Sequence, residues 1–155
     1  MQTLRYPEVT LRPTGRVSQY APGDTPAALA FFYHKLCYES DPSDVYHDWQ
    51  DGIQDFVVID ARSRESYAVE HVPGARNIPH KEMNHETTAV LPHDKILVVY
   101  CDGIGCNAST KGAAKLAALG FKTKEMIGGL DWWKRDGYTV ENGPGNTAPP
   151  VCGCN

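Results

Sequence analysis

The sequence predicts an α/β fold, a central parallel sheet with helices on both faces, and three observations predict it. First, Phe56-Val57-Val58-Ile59 and Ile96-Leu97-Val98-Val99-Tyr100 are wholly apolar runs. A strand with one wet face would alternate, so these read as strands buried on both sides. Second, strands and helices take turns from residue 56 onward, and a strand–helix–strand order implies crossover connections and parallel neighbours. Third, 155 residues with 41% hydrophobic and 22% charged side chains suffice for one packed core and lack the composition of a disordered chain.

In chain order, residues 1–23 carry Pro7, Pro13, Gly15, Pro22 and Gly23 without a sustained period and read as an extended N-terminal arm. Asp24 is a good N-cap for a helix from Thr25 to about Glu39. Ala28, Phe31, Phe32, Leu36 and Cys37 can share one face of it, and that face is expected in the core. Asp41-Pro42 ends this helix, and a short turn or helix follows around Val45–Gln50. Seven acidic residues and no Lys or Arg between Glu39 and Asp60 suggest a solvated acidic face. After the first buried strand at Phe56, Ser63–Glu70 reads as a helix stopped by Pro73-Gly74.

The second buried strand, Ile96–Tyr100, precedes a helix from Asn107 to Leu119. Its Ala113, Leu116 and Ala117 share a face, and Gly120 is its stop. Thr123–Ile127 is the third strand, and Gly129–Asp136 a last helix with Trp132 and Trp133 at the core and pocket rim. No internal repeat appears. The domain is expected over 24–141, with a flexible tail, NGPGNTAPPVCGCN, over 142–155.

A net charge of 15 − 19 = −4 argues against nucleic acid and anionic membranes as partners. No apolar run approaches the roughly 18 residues of a membrane span, and the N-terminus has no apolar signal core. A cytoplasmic protein is expected. Its five cysteines are an odd number in a chain too long to need stapling, and most are then expected to be free thiols, either buried, reactive or metal-bound.

Ligands of open parallel sheets bind beyond the carboxyl ends of the strands. Cys101 stands at that position, directly after Ile96–Tyr100. The loop Asp102-Gly103-Ile104-Gly105-Cys106 then leads to a helix starting near Asn107. Two glycines before a helix N-terminus allow the amides of residues 102–107 to turn inward around one anion. Such a ring would lower the pKa of a thiol at its centre and give a nucleophilic thiolate.

Three ordered motifs carry a family resemblance over about residues 50–140. They are Asp60-Ala61-Arg62 through His71-Val72-Pro73-Gly74-Ala75-Arg76-Asn77-Ile78-Pro79, then Val98-Val99-Tyr100-Cys101, then Ile127-Gly128-Gly129-Leu130-Asp131-Trp132-Trp133 with Gly137-Tyr138. Together they resemble a single rhodanese domain, the sulfurtransferase fold. The resemblance implies a rhodanese-like α/β domain and Cys101 as the sulfur carrier. It also implies a small anionic donor such as thiosulfate, and cyanide, a thiol or a protein as sulfur acceptor. It calls for no metal and no organic cofactor.

The loop is about two residues longer than is usual in that family and resembles the wider cradles of Cys-dependent phosphatases and arsenate reductases. Asn107 stands where those enzymes need an arginine, and an amide cannot supply its charge. A non-catalytic binding or redox-sensing module is the other alternative. Arg62 and Lys111 are candidate auxiliary groups, although Arg62 reads first as a structural ion-pair former. Lys111, Lys115, Lys122 and Lys124 make the region after Cys101 locally positive. His71 reads as structural. Cys106 could attack a persulfide on Cys101, and Cys152 and Cys154 could accept its sulfur.

Overall fold

A computed structural model describes residues 15–144. The described residues divide into two compact units, with the boundary between Lys35 and Leu36. Most of the expected arm, nearly all of the tail, and Cys152 and Cys154 lie outside the described residues. Helix α1 (Thr25–Tyr38) begins where expected, with the Asp24 carboxylate accepting from the Ala27 amide. None of its residues is buried, however. The expected core face is exposed at Phe31, Phe32 and Leu36, and Cys37 is exposed too. Apolar spacing along a helix marks a face but not its cover.

The second unit holds β1 (Glu39–Ser40), α2 (Pro42–Gln50), β2 (Phe56–Asp60), α3 (Arg64–Val69), β3 (Arg76–Asn77), α4 (His85–Thr88), β4 (Ile96–Tyr100), α5 (Ala108–Ala118), β5 (Lys122–Met126) and α6 (Gly129–Arg135). The strands form one sheet in the order β1-β5-β4-β2-β3, every neighbouring pair parallel. Two-residue β1 and β3 and the single turn of α4 were not anticipated. β5 lies one residue earlier than expected.

Burial on both faces is visible residue by residue. On β4, Val98 and Tyr100 belong to one buried cluster with Val58, Tyr67, Val72, Met126 and Trp133. Leu97 and Val99 belong to the other, with Ile59, Ala61, Met83, Leu116 and Phe121. Period-two side-chain alternation therefore feeds two cores at once. Gly112 of α5 belongs to that second contact: a Cβ there would come within 3.1 Å of the Met83 methyl and 3.4 Å of Ala61.

The acidic stretch from Glu39 to Asp60 is not uniformly a solvated face. Asp41 caps α2, accepting from the Asp44 amide at 2.8 Å, and Asp60 is fully buried at the end of β2. From β2 the chain steps outward to β3, and from β4 it steps outward the other way to β5. The carboxyl ends of β2 and β4 therefore flank a topological switch point, where this class of sheet opens a crevice.

Candidate functional site

Cys101 follows β4 at that switch point and is 2% exposed. Its loop is anchored at the base by the start of α6: Leu130 N–H donates to the Cys101 carbonyl at 2.9 Å and Asp131 N–H to the Asp102 carbonyl at 2.8 Å. Gly129 permits this approach, with φ +56° and a hypothetical Cβ only 2.2 Å from the Cys101 oxygen. An L-residue would meet both a disfavoured dihedral and a backbone clash there. Trp133 is buried beneath, whereas Trp132 is partly exposed beside Arg135.

Arg62 buttresses the other side. Its Nε and Nη2 contact the Asp60 carboxylate at 2.7–3.1 Å, Nη2 also donates to the Glu70 carbonyl at 2.7 Å, and Nη1 to Asp102 at 3.1 Å. Burial alone would lower the Arg62 pKa, but the Asp60 carboxylate outweighs it and the value stands above normal. Tyr100 completes the network. Its hydroxyl donates to Asp60 at 2.5 Å and accepts from the Val72 amide at 3.0 Å, and burial, then Asp60, raises its pKa. Four of the five guanidinium N–H groups are thus engaged, three of them tying Asp60 to Asp102, the first loop residue, and the fourth held by the Glu70 carbonyl. His71, also buried, lies 2.8 Å through Nδ1 from the Tyr67 carbonyl and stacks on the Tyr67 ring.

The surroundings of the sulfur differ from the expected ring of amides. Cys101 Sγ lies 3.1 Å from the Cys106 carbonyl and 4.0 Å from that of Gly103, both of which accept. The Cys106 amide turns away to the Gly103 oxygen at 3.0 Å. Burial, the largest influence, pushes the Cys101 thiol up. The Ser109 hydroxyl and amide pull it down, and the neighbouring Cys106 thiol raises it again. The expectation of a lowered thiol pKa is therefore not met. Glycines at 103 and 105 permit an inward-facing carbonyl as readily as an inward-facing amide.

Two groups unforeseen in the sequence complete the site. Ser109 Oγ, in the first turn of α5, is 3.0 Å from Cys101 Sγ and donates to Glu125 Oε1 at 2.7 Å. Thr110 donates to the same oxygen at 2.8 Å. Glu125 reaches them from β5, where it pairs with Val99. The cavity beside Cys101, about 220 Å³, is lined by Gly103, Ile104, Cys106, Asn107, Ser109, Thr110 and Glu125 to Gly129. Asp102 is not among these residues and instead faces a second cavity of about 270 Å³ with Arg62, His80, Lys81 and Cys106.

Asn107 is the exposed N-cap of α5 and makes no side-chain cap bond. Lys111 is exposed and lines neither cavity. Lys115 and Lys124 donate to the His80 and Leu36 carbonyls, away from the sulfur. Among the described residues no His/Cys/Asp/Glu cluster could hold a metal ion, and no helix is long and apolar enough to cross a membrane.

A parallel five-stranded sheet with a loop-borne cysteine at its switch point defines a class, and comparison with known proteins gives the family. The model of the rhodanese-like domain matches residues 43–136, more than half of the chain, and the chain belongs to that family. The BH2092 protein of Bacillus halodurans has a similar structure: 38% identity and TM-score 0.76, over 81% of this chain and 91% of that one. Thiosulfate sulfurtransferase PspE of Escherichia coli is 40% identical over 75 residues, 46% of this chain and 68% of that protein. Thiosulfate sulfurtransferase GlpE of Pseudomonas fluorescens is 30% identical over 94 residues, 60% of this chain and 83% of that protein. Three longer curated relatives are matched over only 38%, 20% and 14% of their own lengths.

Proposed function

We propose that this chain is a sulfurtransferase that carries a sulfane sulfur as a persulfide on Cys101, taking it from an anionic donor such as thiosulfate. One observation carries the proposal: the only cysteine at the carboxyl end of a described strand lines a cavity of about 220 Å³, in a family with relatives named thiosulfate sulfurtransferase. In the first half-reaction the Cys101 thiolate attacks the outer sulfur of thiosulfate. A Cys101–sulfur bond forms, the sulfur–sulfur bond of the donor breaks, and sulfite leaves with its electron pair. In the second, a thiol, cyanide or a protein cysteine attacks the outer sulfur of the persulfide and returns Cys101 as thiolate. No step requires a metal or organic cofactor.

The loop supplies the walls rather than the charge. Asp102 is held by Arg62, and Gly103, Ile104, Cys106 and Asn107 line the sulfur's cavity, while Ser109 is the hydroxyl in reach of the sulfur. Arg62 acts by bracing the loop, whereas Lys111 is exposed and lines neither cavity. Phosphatase or arsenate reductase chemistry is disfavoured, because it needs a guanidinium clamp at the start of α5 and Asn107 stands in that place. A non-catalytic binding or redox-sensing module is the second reading, and the observation that favours sensing is the second thiol, Cys106, beside Cys101. The free thiols Cys37, Cys101 and Cys106 suit a reducing cytoplasm, which is part of this proposal.

The test is thiocyanate formation from cyanide with thiosulfate or a low-molecular-weight persulfide as donor. Wild type should form it and Cys101→Ser, checked for folding by circular dichroism, should not. A wild-type chain inactive with both donors supports the sensing module instead, and an active Cys101→Ser variant refutes the site.

A further inference from the structure

Cys106 is the single residue shared by the two cavities that flank the loop, among the described residues. It is half-buried, whereas Cys101 is buried. The Cys106 carbonyl oxygen lies 3.1 Å from Cys101 Sγ, and a carbonyl oxygen is about 2.4 Å from its own Cα by fixed peptide dimensions. Cys101 Sγ is therefore no more than about 5.5 Å from the Cys106 Cα, which puts the root of the Cys106 side chain beside it. The turn closed by Cys106 N–H and the Gly103 carbonyl keeps the end of the loop folded back on its start. The two thiols already neighbour each other closely enough to raise the Cys101 pKa.

We propose that Cys106 is a resolving thiol that discharges the Cys101 persulfide within the chain, so that the protein releases sulfide and acquires a Cys101–Cys106 disulfide. This extension depends on the persulfide reading above. The Cys106 thiolate attacks Cys101 Sγ, the inner sulfur. An Sγ–Sγ bond forms, the bond to the outer sulfur breaks, and that sulfur departs with the electron pair and with the proton given up by the Cys106 thiol, as hydrosulfide. The sulfane sulfur is reduced by two electrons, and the two cysteine thiols are oxidised to the disulfide. A dithiol reductant, small or protein-borne, then restores both thiols. Over a full cycle thiosulfate and the dithiol give sulfite, sulfide and an oxidised dithiol. Attack at the inner sulfur is the step that closes the disulfide, because attack at the outer sulfur would only move the persulfide onto Cys106.

The experiment is a single turnover of the full chain with one equivalent of thiosulfate, without oxygen or any acceptor. Trypsin cuts after Lys95 and Lys111, leaving both cysteines on the peptide 96–111. In wild type, about one sulfide per chain should appear. The peptide should lose two hydrogens and resist alkylation. In Cys106→Ser the same peptide should keep one added sulfur atom and release no sulfide, and added cyanide should remove that sulfur as thiocyanate. A wild-type chain that keeps the added sulfur overturns the proposal, as does a Cys106→Ser chain that releases as much sulfide as wild type. If neither protein takes up sulfur from thiosulfate or from a low-molecular-weight persulfide, the persulfide reading falls and this one with it.

Discussion

Ser109 offers one proton to two claimants, and this predicts opposite effects for two neighbouring substitutions. In the structure its hydroxyl donates to Glu125 at 2.7 Å, so its oxygen can accept from the Cys101 thiol at 3.0 Å. When the thiol ionises, the hydroxyl must leave Glu125 to donate to the sulfur. Ser109→Ala removes that donor. A hydrogen bond to a charged group contributes about 1.5–3 kcal/mol, so the thiolate population and the alkylation rate at neutral pH should fall about tenfold to a hundredfold. Glu125→Gln removes the competing carboxylate and its repulsion of the thiolate, and the rate should rise.

The assay is iodoacetamide labelling followed against pH, with tandem mass spectrometry separating Cys101 from Cys106 on the peptide 96–111. Because burial raises the Cys101 thiol, the wild-type rate should still be climbing beyond about pH 8.5, the ordinary midpoint of a free thiol. Faster labelling in Ser109→Ala, or slower labelling in Glu125→Gln, would refute the account of the shared proton.

Two stability predictions concern the supports of the loop. Arg62→Met leaves the buried Asp60 carboxylate without its cation, which costs about 3–5 kcal/mol and lowers the melting temperature by about 6–20 °C for a chain of this size. The double variant Asp60→Asn/Arg62→Met should recover part of that loss, and thermal melts that show no recovery would contradict a charge-based cause. Gly129→Ala, with a positive φ and a Cβ 2.2 Å from the Cys101 oxygen, should cost about 3 kcal/mol or more in urea unfolding. Gly105→Ala, whose Cβ meets nothing within 4 Å, should be far milder, and equal losses would count against the clash.

The parts of the fold legible in the sequence are those whose signal is local. β2 and β4 are apolar on every residue but the last of β2 and are buried on both faces, and α5 and α6 end within a residue or so of their expected limits. The two-residue edge strands carry no pattern at all, since Glu39-Ser40 and Arg76-Asn77 are strands only by virtue of their neighbours β5 and β2. At the site, the position of Cys101 follows from strand order, but the facing of peptide groups around its sulfur is decided by dihedral angles that glycines leave open. Ser109 and Glu125 are sixteen residues apart and meet through the pairing of β5 with β4. A serine early in a helix and a glutamate in KTKEM give no local hint of a shared proton. α1 marks the reverse error, a face readable in sequence whose burial depends on chain elsewhere.

The stitching of Cys101 and Asp102 to the first turn of α6 divides the loop into a clamped root and an open crown. Ile104, 82% exposed, and Gly105, with free space above it, sit at the crown, where changes leave the root bonds alone. Descendants of this chain can therefore retune which molecules are admitted by altering two crown positions, without renegotiating the scaffold that places the sulfur.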